Sequence, residues 1–415
     1  MSHSVSPADP ERLQVLDVLR GIALLGMFLV HFSIFSSGGG AAGEVYKTAV
    51  YMLLEERFWA MFAILFGVGF AIQLRRADAR GRSLGPRFLR RLAALAVFGF
   101  VAEGFLGFNV LLTYAVWGLP LLLVRRWSVR RLIAAALVCA ASWNVYAIAE
   151  AAYGVATKGE QATRAELQST AARNEAFRKA SEEAQNVTSY RAVVAARLAH
   201  MRWFYAQPFS FLPVNSFMLF LLGLIGFRIG VFDEPERHRR LIAALMVFGA
   251  ASWAVSWWVL PALPAPNAES LLRRMTLSRV QDGFGLIRPM WLAFAYMGAV
   301  LLLVAHDRRW LGRLAPFAWT GRMALTNYMI QVLLLDLTFS KYALGLSVTP
   351  LVGLAMAIAL FAADALASRW WLARFQYGPF EWLWRSATYA RWQPLRMAAA
   401  EPPRRDTLAV AGWPD

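Results

Sequence analysis

The sequence predicts an all-α protein, a polytopic membrane helix bundle of about ten spans with both termini cytoplasmic. Three observations carry that expectation. Of the 415 residues, 58% are hydrophobic, with 17 tryptophans and 28 phenylalanines, and they fall in long blocks rather than short amphipathic periods. Arginines cluster in the connections between those blocks. The few ionisable residues inside the blocks line up on particular helix faces, as they must where lipid surrounds a helix.

The repeating unit is therefore the membrane span, and residues 1–373 read as one bundle with an outer insertion at about 151–208. Residues 374–415 read as a cytoplasmic C-terminal segment and tail. A net charge of +17 would suggest nucleic acid in a soluble chain. Here topology and anionic lipid headgroups explain it, so lipid is the expected neighbour and nucleic acid is not. The single cysteine, Cys139, excludes an intramolecular disulfide and a cysteine metal cluster.

Taken in order, the spans run Val15–Phe35, Phe58–Leu74, Leu92–Leu106, Asn109–Val124 and Leu132–Glu150, then Phe209–Ile229, Leu241–Leu260, Arg288–Ala305, Leu314–Phe339 and Pro350–Leu372. The first could pass for a secretory leader, since "SSGGGAAG" follows it. Asp17 and Arg20 interrupt its start and many spans follow, so an uncleaved helix is expected. "EVYKTAVYMLLEERF" after it is amphipathic and suits the outer interface. The third and fourth spans are nearly continuous through "LGFN", which predicts a tight hairpin.

The connection between spans two and three, "RRADARGRSLGPRFLRR", holds seven arginines; "RRWSVRR" holds four, and "ERHRR" and "DRRWLGR" hold three each. With ten spans all four lie on one side, which the positive-inside rule makes cytoplasmic. Two outer connections, Ala151–Pro208 and Pro261–Ile287, also contain arginines. The first is long and charge-mixed, and long loops translocate largely regardless of charge. Its Ala/Glu/Arg-rich sequence predicts one or two amphipathic helices on the outer surface, a lid over a cavity or a solvated spacer. The segments "MSHSVSPADPE" and "AAAEPPRRDTLAVAGWPD" read as weakly ordered tails.

Within the first span, Arg20 and His31 are eleven residues apart. That separation puts them within ~20° of one face and ~16 Å apart in rise. Asp17 lies three residues before Arg20, close enough to pair with it. His31 has no partner within its helix, and a near-neutral pKa suits an intramembrane histidine to proton transfer. The ninth span is polar on both sides. Arg322, Thr326 and Asp336 share one face, and Thr320, Asn327 and Gln331 the other, which predicts a central position. Arg322 needs an anion, either a carboxylate such as Asp17 or Asp364 or the phosphates of a ligand. Glu103 lies near the outer end of its span, at a depth closer to His31, where a carboxylate could orient the imidazole.

Negative results narrow the chemistry. The chain has no P-loop, no GxSxG elbow and no HExxH zinc helix. Five scattered histidines give no expectation of a metal. "LFGVGFAI" carries the small-residue spacing of close helix packing, and no internal repeat favours an inverted-repeat transporter.

"RLQVLDVLRGIALLGMFLVH", "FWAMFAILFGVGFAIQLRRA", "TYAVWGL", "WTGRMALTNYMIQ" and "FQYGPFEWLWRSATYARWQP" resemble the YeiB-like family of bacterial inner-membrane proteins. The "LDVLRG" opening is also similar to heparan-glucosaminide acetyltransferases and membrane O-acyltransferases. The resemblance implies an inner-membrane location, a common motif at Asp17 and Arg20, and transfer of an acyl group from cytosolic acyl-CoA to an outer hydroxyl or amine. Where YeiB-like proteins commonly carry Asn, this chain has His31, as membrane O-acyltransferases do. Glu103 and Asn109 stand in the segment where the family commonly has His and Asp.

These readings converge on a transmembrane acyltransferase. His31, aided by Glu103 and the Asp17 motif, would be the catalytic group, with Arg20 or Arg322 on acyl-CoA phosphates. Asn109, Asn327 and Gln331 would orient a small-molecule or glycan acceptor. Two alternatives from other classes stay open: a proton-coupled transporter, in which the same acids and His31 form a relay, and a non-catalytic assembly protein whose ion pairs only specify packing.

Overall fold

The computed structural model describes residues 10–396, apart from 109, 207–210 and 260–269. The described residues form helices and no strand. In chain order the first nine helices are α1 (Pro10–Phe35), α2 (Gly40–Leu53), α3 (Arg57–Asp78), α4 (Gly85–Leu106), α5 (Val110–Gly118), α6 (Leu121–Val124), α7 (Val129–Lys158), α8 (Glu160–Gln185) and α9 (Tyr190–Ala206). They are followed by α10 (Phe211–Arg228), α11 (Arg239–Ala254) with a π-helical turn over Val255–Val259, α12 (Leu271–His306) and α13 (Arg309–Arg313). The last four are α14 (Ala315–Arg322), α15 (Ala324–Phe339), α16 (Pro350–Leu372) and α17 (Pro379–Tyr389).

Five helical stretches are long and apolar enough to cross a membrane, and four shorter apolar helices accompany them. Large apolar side chains face outward on several, among them Leu137 at 66%, Val247 at 70% and Leu366 at 64% exposure. Polar groups are enclosed instead, with Asn327 and Gln331 almost fully buried. Apolar outside and polar inside is the order that lipid imposes, so the chain is a multi-pass membrane protein.

Glycines set the closest approaches, because helices in lipid associate by backbone proximity rather than by hydrophobic burial. A Cβ on Gly67 would lie 2.0 Å from the Phe220 carbonyl oxygen, and one on Gly223 would lie 2.0 Å from that of Ile64. α3 and α10 therefore touch backbone to backbone at the "FGVGF" spacing. α1 and α14 do the same through Gly21, whose Cβ would meet Phe317 O at 1.9 Å, and Gly321, whose Cβ would meet Asp17 O at 1.8 Å.

The four arginine-rich connections meet at one end. Arg75 pairs with Asp233 at 2.6 Å, joining the α3–α4 and α10–α11 connections. Arg228 donates to the carbonyls of Arg125 and Trp127, bringing in the α6–α7 connection, and Arg239 reaches Ala305 O at the end of α12. An open cleft of about 1020 Å³ lies there, lined by Arg75, Arg126, Arg228 and Arg237 with Asp78 and Asp233.

One expectation needs correction. The ninth span is not one helix: α14 ends at Arg322, Met323 leaves the helical region at φ −107° and ψ 32°, and α15 begins at Ala324. The two-faced polarity computed for a continuous helix therefore does not hold across the break. The helix that carries the eighth span is longer than the span, since α12 runs from Leu271 and its apolar part covers Trp291–His306. Within the C-terminal segment, Pro379–Tyr389 is a packed amphipathic helix. The tight hairpin after α4 and the amphipathic helices α2, α8 and α9 agree with expectation.

Candidate functional site

Polar side chains gather in two places, at the helix break and at the opposite end of α1. At the break, the first N–H groups of α15 have no intrahelical acceptor. Glu381 of α17 supplies one. Leu325 N–H and Thr326 N–H donate to its Oε1 at 2.6 and 3.0 Å, and the Thr326 hydroxyl donates to Oε2 at 2.6 Å. Phe380 N–H donates to Thr326 Oγ1 in return, at 3.0 Å. Burial pushes the Glu381 carboxyl above its ordinary range, and these hydrogen bonds pull it back. Gly378 is needed for space, since a Cβ there would lie 2.2 Å from Glu381 Oε2. This is the physical content of "GPFEW": a glycine that lets the carboxylate in, a proline that starts the helix, and the capping glutamate.

Asn327 closes the other side of the break. Its amide donates to Thr320 O, which also accepts from Met323 N–H, at 3.1 Å and to Ser368 Oγ on α16 at 2.9 Å. A 1% exposed amide so engaged fixes the break and leaves little of its own capacity for a ligand.

Asp17 and Arg20 pair at 2.6 Å, as their spacing predicts, and both remain partly accessible. Arg322 is exposed at the last turn of α14, where it donates to Gln376 O at 3.3 Å and feels the charge of Asp17. Asp364, expected to neutralise Arg20 or Arg322, forms no ion pair among the described residues. It faces Glu381, and its Oδ2 is buried without a hydrogen-bond partner.

At the far end of α1, His31 meets Gln331 of α15, with Nδ1 and Nε2 of the two side chains 3.4 Å apart. The imidazole lies 5.0 Å from the Phe108 ring in the α4–α5 hairpin. Glu103 does not hydrogen-bond His31. Its carboxylate accepts from Tyr205 Oη at 3.0 Å, and Tyr205 in turn lies 3.2 Å from Thr113 Oγ1. Asn109 lies outside the described residues.

The insertion between α7 and α10 contributes directly. Its α9 supplies Tyr205 to Glu103 and Arg197 to Asp336, an almost fully buried pair at 2.6 Å. Ser340 and Tyr342 also donate to Asp336, and Arg197 donates to Phe105 O. Sequence reading placed Asp336 on a polar face but missed Arg197, Tyr205 and Glu381. Arg197 sits among exposed arginines of an amphipathic helix, and nothing local distinguishes it.

Comparison with known proteins supplies the relationship. A model described as "Protein of unknown function (DUF418)" matches residues 226–391. The catalytic model of heparan-alpha-glucosaminide N-acetyltransferase matches residues 12–158. The uncharacterized protein YxaH of Bacillus subtilis (strain 168) is 30% identical over 421 residues, covering 93% of this chain and 96% of that protein. The chain belongs to the DUF418, YeiB-like family. An uncharacterized 39.9 kDa protein in the amylase 3′ region of Bacillus acidopullulyticus is 28% identical, covering 93% of this chain and 96% of its own length. YeiB of Escherichia coli (strain K12) is 44% identical over 71 residues, 17% of this chain and 18% of YeiB. No solved structure matches the chain. The family match spans the broken helix and its Glu381 cap, while the acetyltransferase match spans Asp17, Arg20, His31 and Glu103.

Proposed function

We propose that the protein is a transmembrane acyltransferase that takes an acyl group from acyl-CoA at the arginine-rich end and passes it to a hydroxyl or amine at the His31 end. The observation that carries this reading is the acetyltransferase match over residues 12–158, which contains His31 on the same helix as Arg20. The ~16 Å of rise between those residues suits a long, thin thioester arm with phosphates at one end and a carbonyl at the other. In this reading the arginine-rich end is cytoplasmic, in the bacterial inner membrane.

His31 is the base. Gln331 Oε1 is buried without a partner, and the amide turned over would let it accept from His31 Nδ1–H. That tautomer leaves Nε2 with a free lone pair. The acceptor's O–H or N–H proton moves to Nε2 as its oxygen or nitrogen bonds to the thioester carbonyl carbon. The C–S bond then breaks, and CoA leaves as a thiolate that takes up the proton from His31 Nε2, which regenerates the base. Glu103 and Tyr205 border the acceptor's approach, with Asn109 and Gln331 orienting it, while Arg20 and Arg322 hold the donor's phosphates. No metal has a role in this scheme.

The test uses protein in proteoliposomes, with radiolabelled acetyl-CoA, and glucosamine or a total membrane-lipid extract as acceptor. Label should pass to acceptor, and His31→Ala should slow transfer by about 10²- to 10⁴-fold. Transfer at an unchanged rate in His31→Ala would overturn the assignment of the base.

A further inference from the structure

The charges at the arginine-rich end of α1 do not balance. Arg20 is paired with Asp17 at 2.6 Å, and Arg322 also feels Asp17. On its other side Arg20 acts on Arg91 of α4, which acts on Arg385 of α17. Arg20 and Arg322 thus share one carboxylate, and Arg91 and Arg385 form no ion pair among the described residues. Glu381 is committed to the α15 N-terminus, and Asp364 faces Glu381.

Arg91 and Arg385 are both half-buried, and the Nε of each is enclosed with no hydrogen-bond partner. Neither guanidinium donates to a described residue. Both are held in place by aromatic rings, Arg91 at 3.7 Å over Trp384 and Arg385 at 4.3 Å over Tyr377. Trp384 Nε1–H donates to Arg91 O at 2.8 Å, which locks α17 onto α4. Stacked arginines are pre-ordered with their donors unspent. Enclosing like charges with too few counter-ions is costly, and among the described residues Asp17 alone offsets this cluster.

We propose that Arg20, Arg91, Arg322 and Arg385 form a binding site for a diphosphate-bearing ligand, to which the C-terminal helix α17 contributes Arg385. A diphosphate offers the number of acceptor oxygens and the charge that these forks lack. The inference rests on the acyltransferase reading for its physiological ligand, the phosphates of the donor. The same chemistry would also hold the headgroup of an anionic phospholipid. The cleft lined by Arg75 and Arg228 is a different place, because those two arginines are engaged with Asp233 and backbone carbonyls.

The experiment measures inorganic pyrophosphate binding by calorimetry to the full chain in phosphatidylcholine nanodiscs. Saturable binding is expected, weakened about tenfold or more in Arg91→Met and in Arg385→Met and within about twofold of wild type in Arg126→Ala. Phosphatidylglycerol nanodiscs separate the sources: competition with pyrophosphate assigns the site to a lipid headgroup, and no competition assigns it to a soluble diphosphate. Absence of binding by folded wild type, or binding unchanged in both Arg91→Met and Arg385→Met, overturns the proposal. The two proposals fail separately. Pyrophosphate binding without acetyl transfer sinks the acyltransferase reading alone, and acetyl transfer with an unchanged KM in Arg385→Met sinks the anion site alone.

Discussion

Single residues decide how closely these helices approach, and two neighbouring glycines make the point testable. Gly67 has the Phe220 carbonyl where its Cβ would be, while Gly69 has nothing within 4 Å. Gly67→Ala should therefore cost about 1–3 kcal/mol, the usual penalty of overpacking. Gly69→Ala should be neutral or slightly stabilising, since alanine favours a helix. Thermal unfolding in one detergent compares the pair, and equal losses would contradict the packing account. The Glu381 cap gives a second contrast. Glu381→Ala leaves two backbone N–H groups and the Thr326 hydroxyl unpaired and should cost about 2 kcal/mol. Glu381→Gln keeps the oxygen that the backbone uses and should cost less. At this scale the sequence was legible where partners are local: the Asp17–Arg20 pair follows from three-residue spacing. Glu381 was not legible, because its partners Leu325 and Thr326 are more than fifty residues away and no periodicity marks them.

At the scale of elements, the spans that stand alone could be read almost to the residue; α16 begins at Pro350 and ends at Leu372 as expected. Hydropathy blocks report where lipid contact ends. They do not report where a helix stops inside an apolar block, and so the break at Met323 was invisible. Asn327 and Thr326 were read as parts of two polar faces, whereas Asn327 bonds Thr320 O across the break and Thr326 anchors the capping Glu381. The outer insertion was legible as amphipathic helices but not as a contributor to the interior. Arg197→Met should leave Asp336 buried without its cation and cost about 3–5 kcal/mol. The double variant Arg197→Met with Asp336→Leu should recover part of that loss. A double variant no better than the single would show that the pair does not hold α9 to α15.

For the whole molecule, the contacts that draw all four arginine-rich connections to one end make topology a single question of which side that end faces. In a Cys139→Ala background, Ser83→Cys and Ser128→Cys should react with an impermeant maleimide only after the cells are opened. Ser169→Cys, in the outer insertion, should react in intact cells. Labelling of all three from one side would contradict the bundle as described. Both family matches fall on the machinery described here, the break with its cap and the polar face of α1. The central claim is that this face divides into a donor-binding end at Arg20 and a chemical end at His31. It is tested most directly by acetyl-CoA binding to the purified protein, compared among wild type, Arg20→Ala and His31→Ala. The account predicts saturable binding that is lost in Arg20→Ala and kept in His31→Ala. No binding by folded wild type, or equal binding in all three, would contradict it.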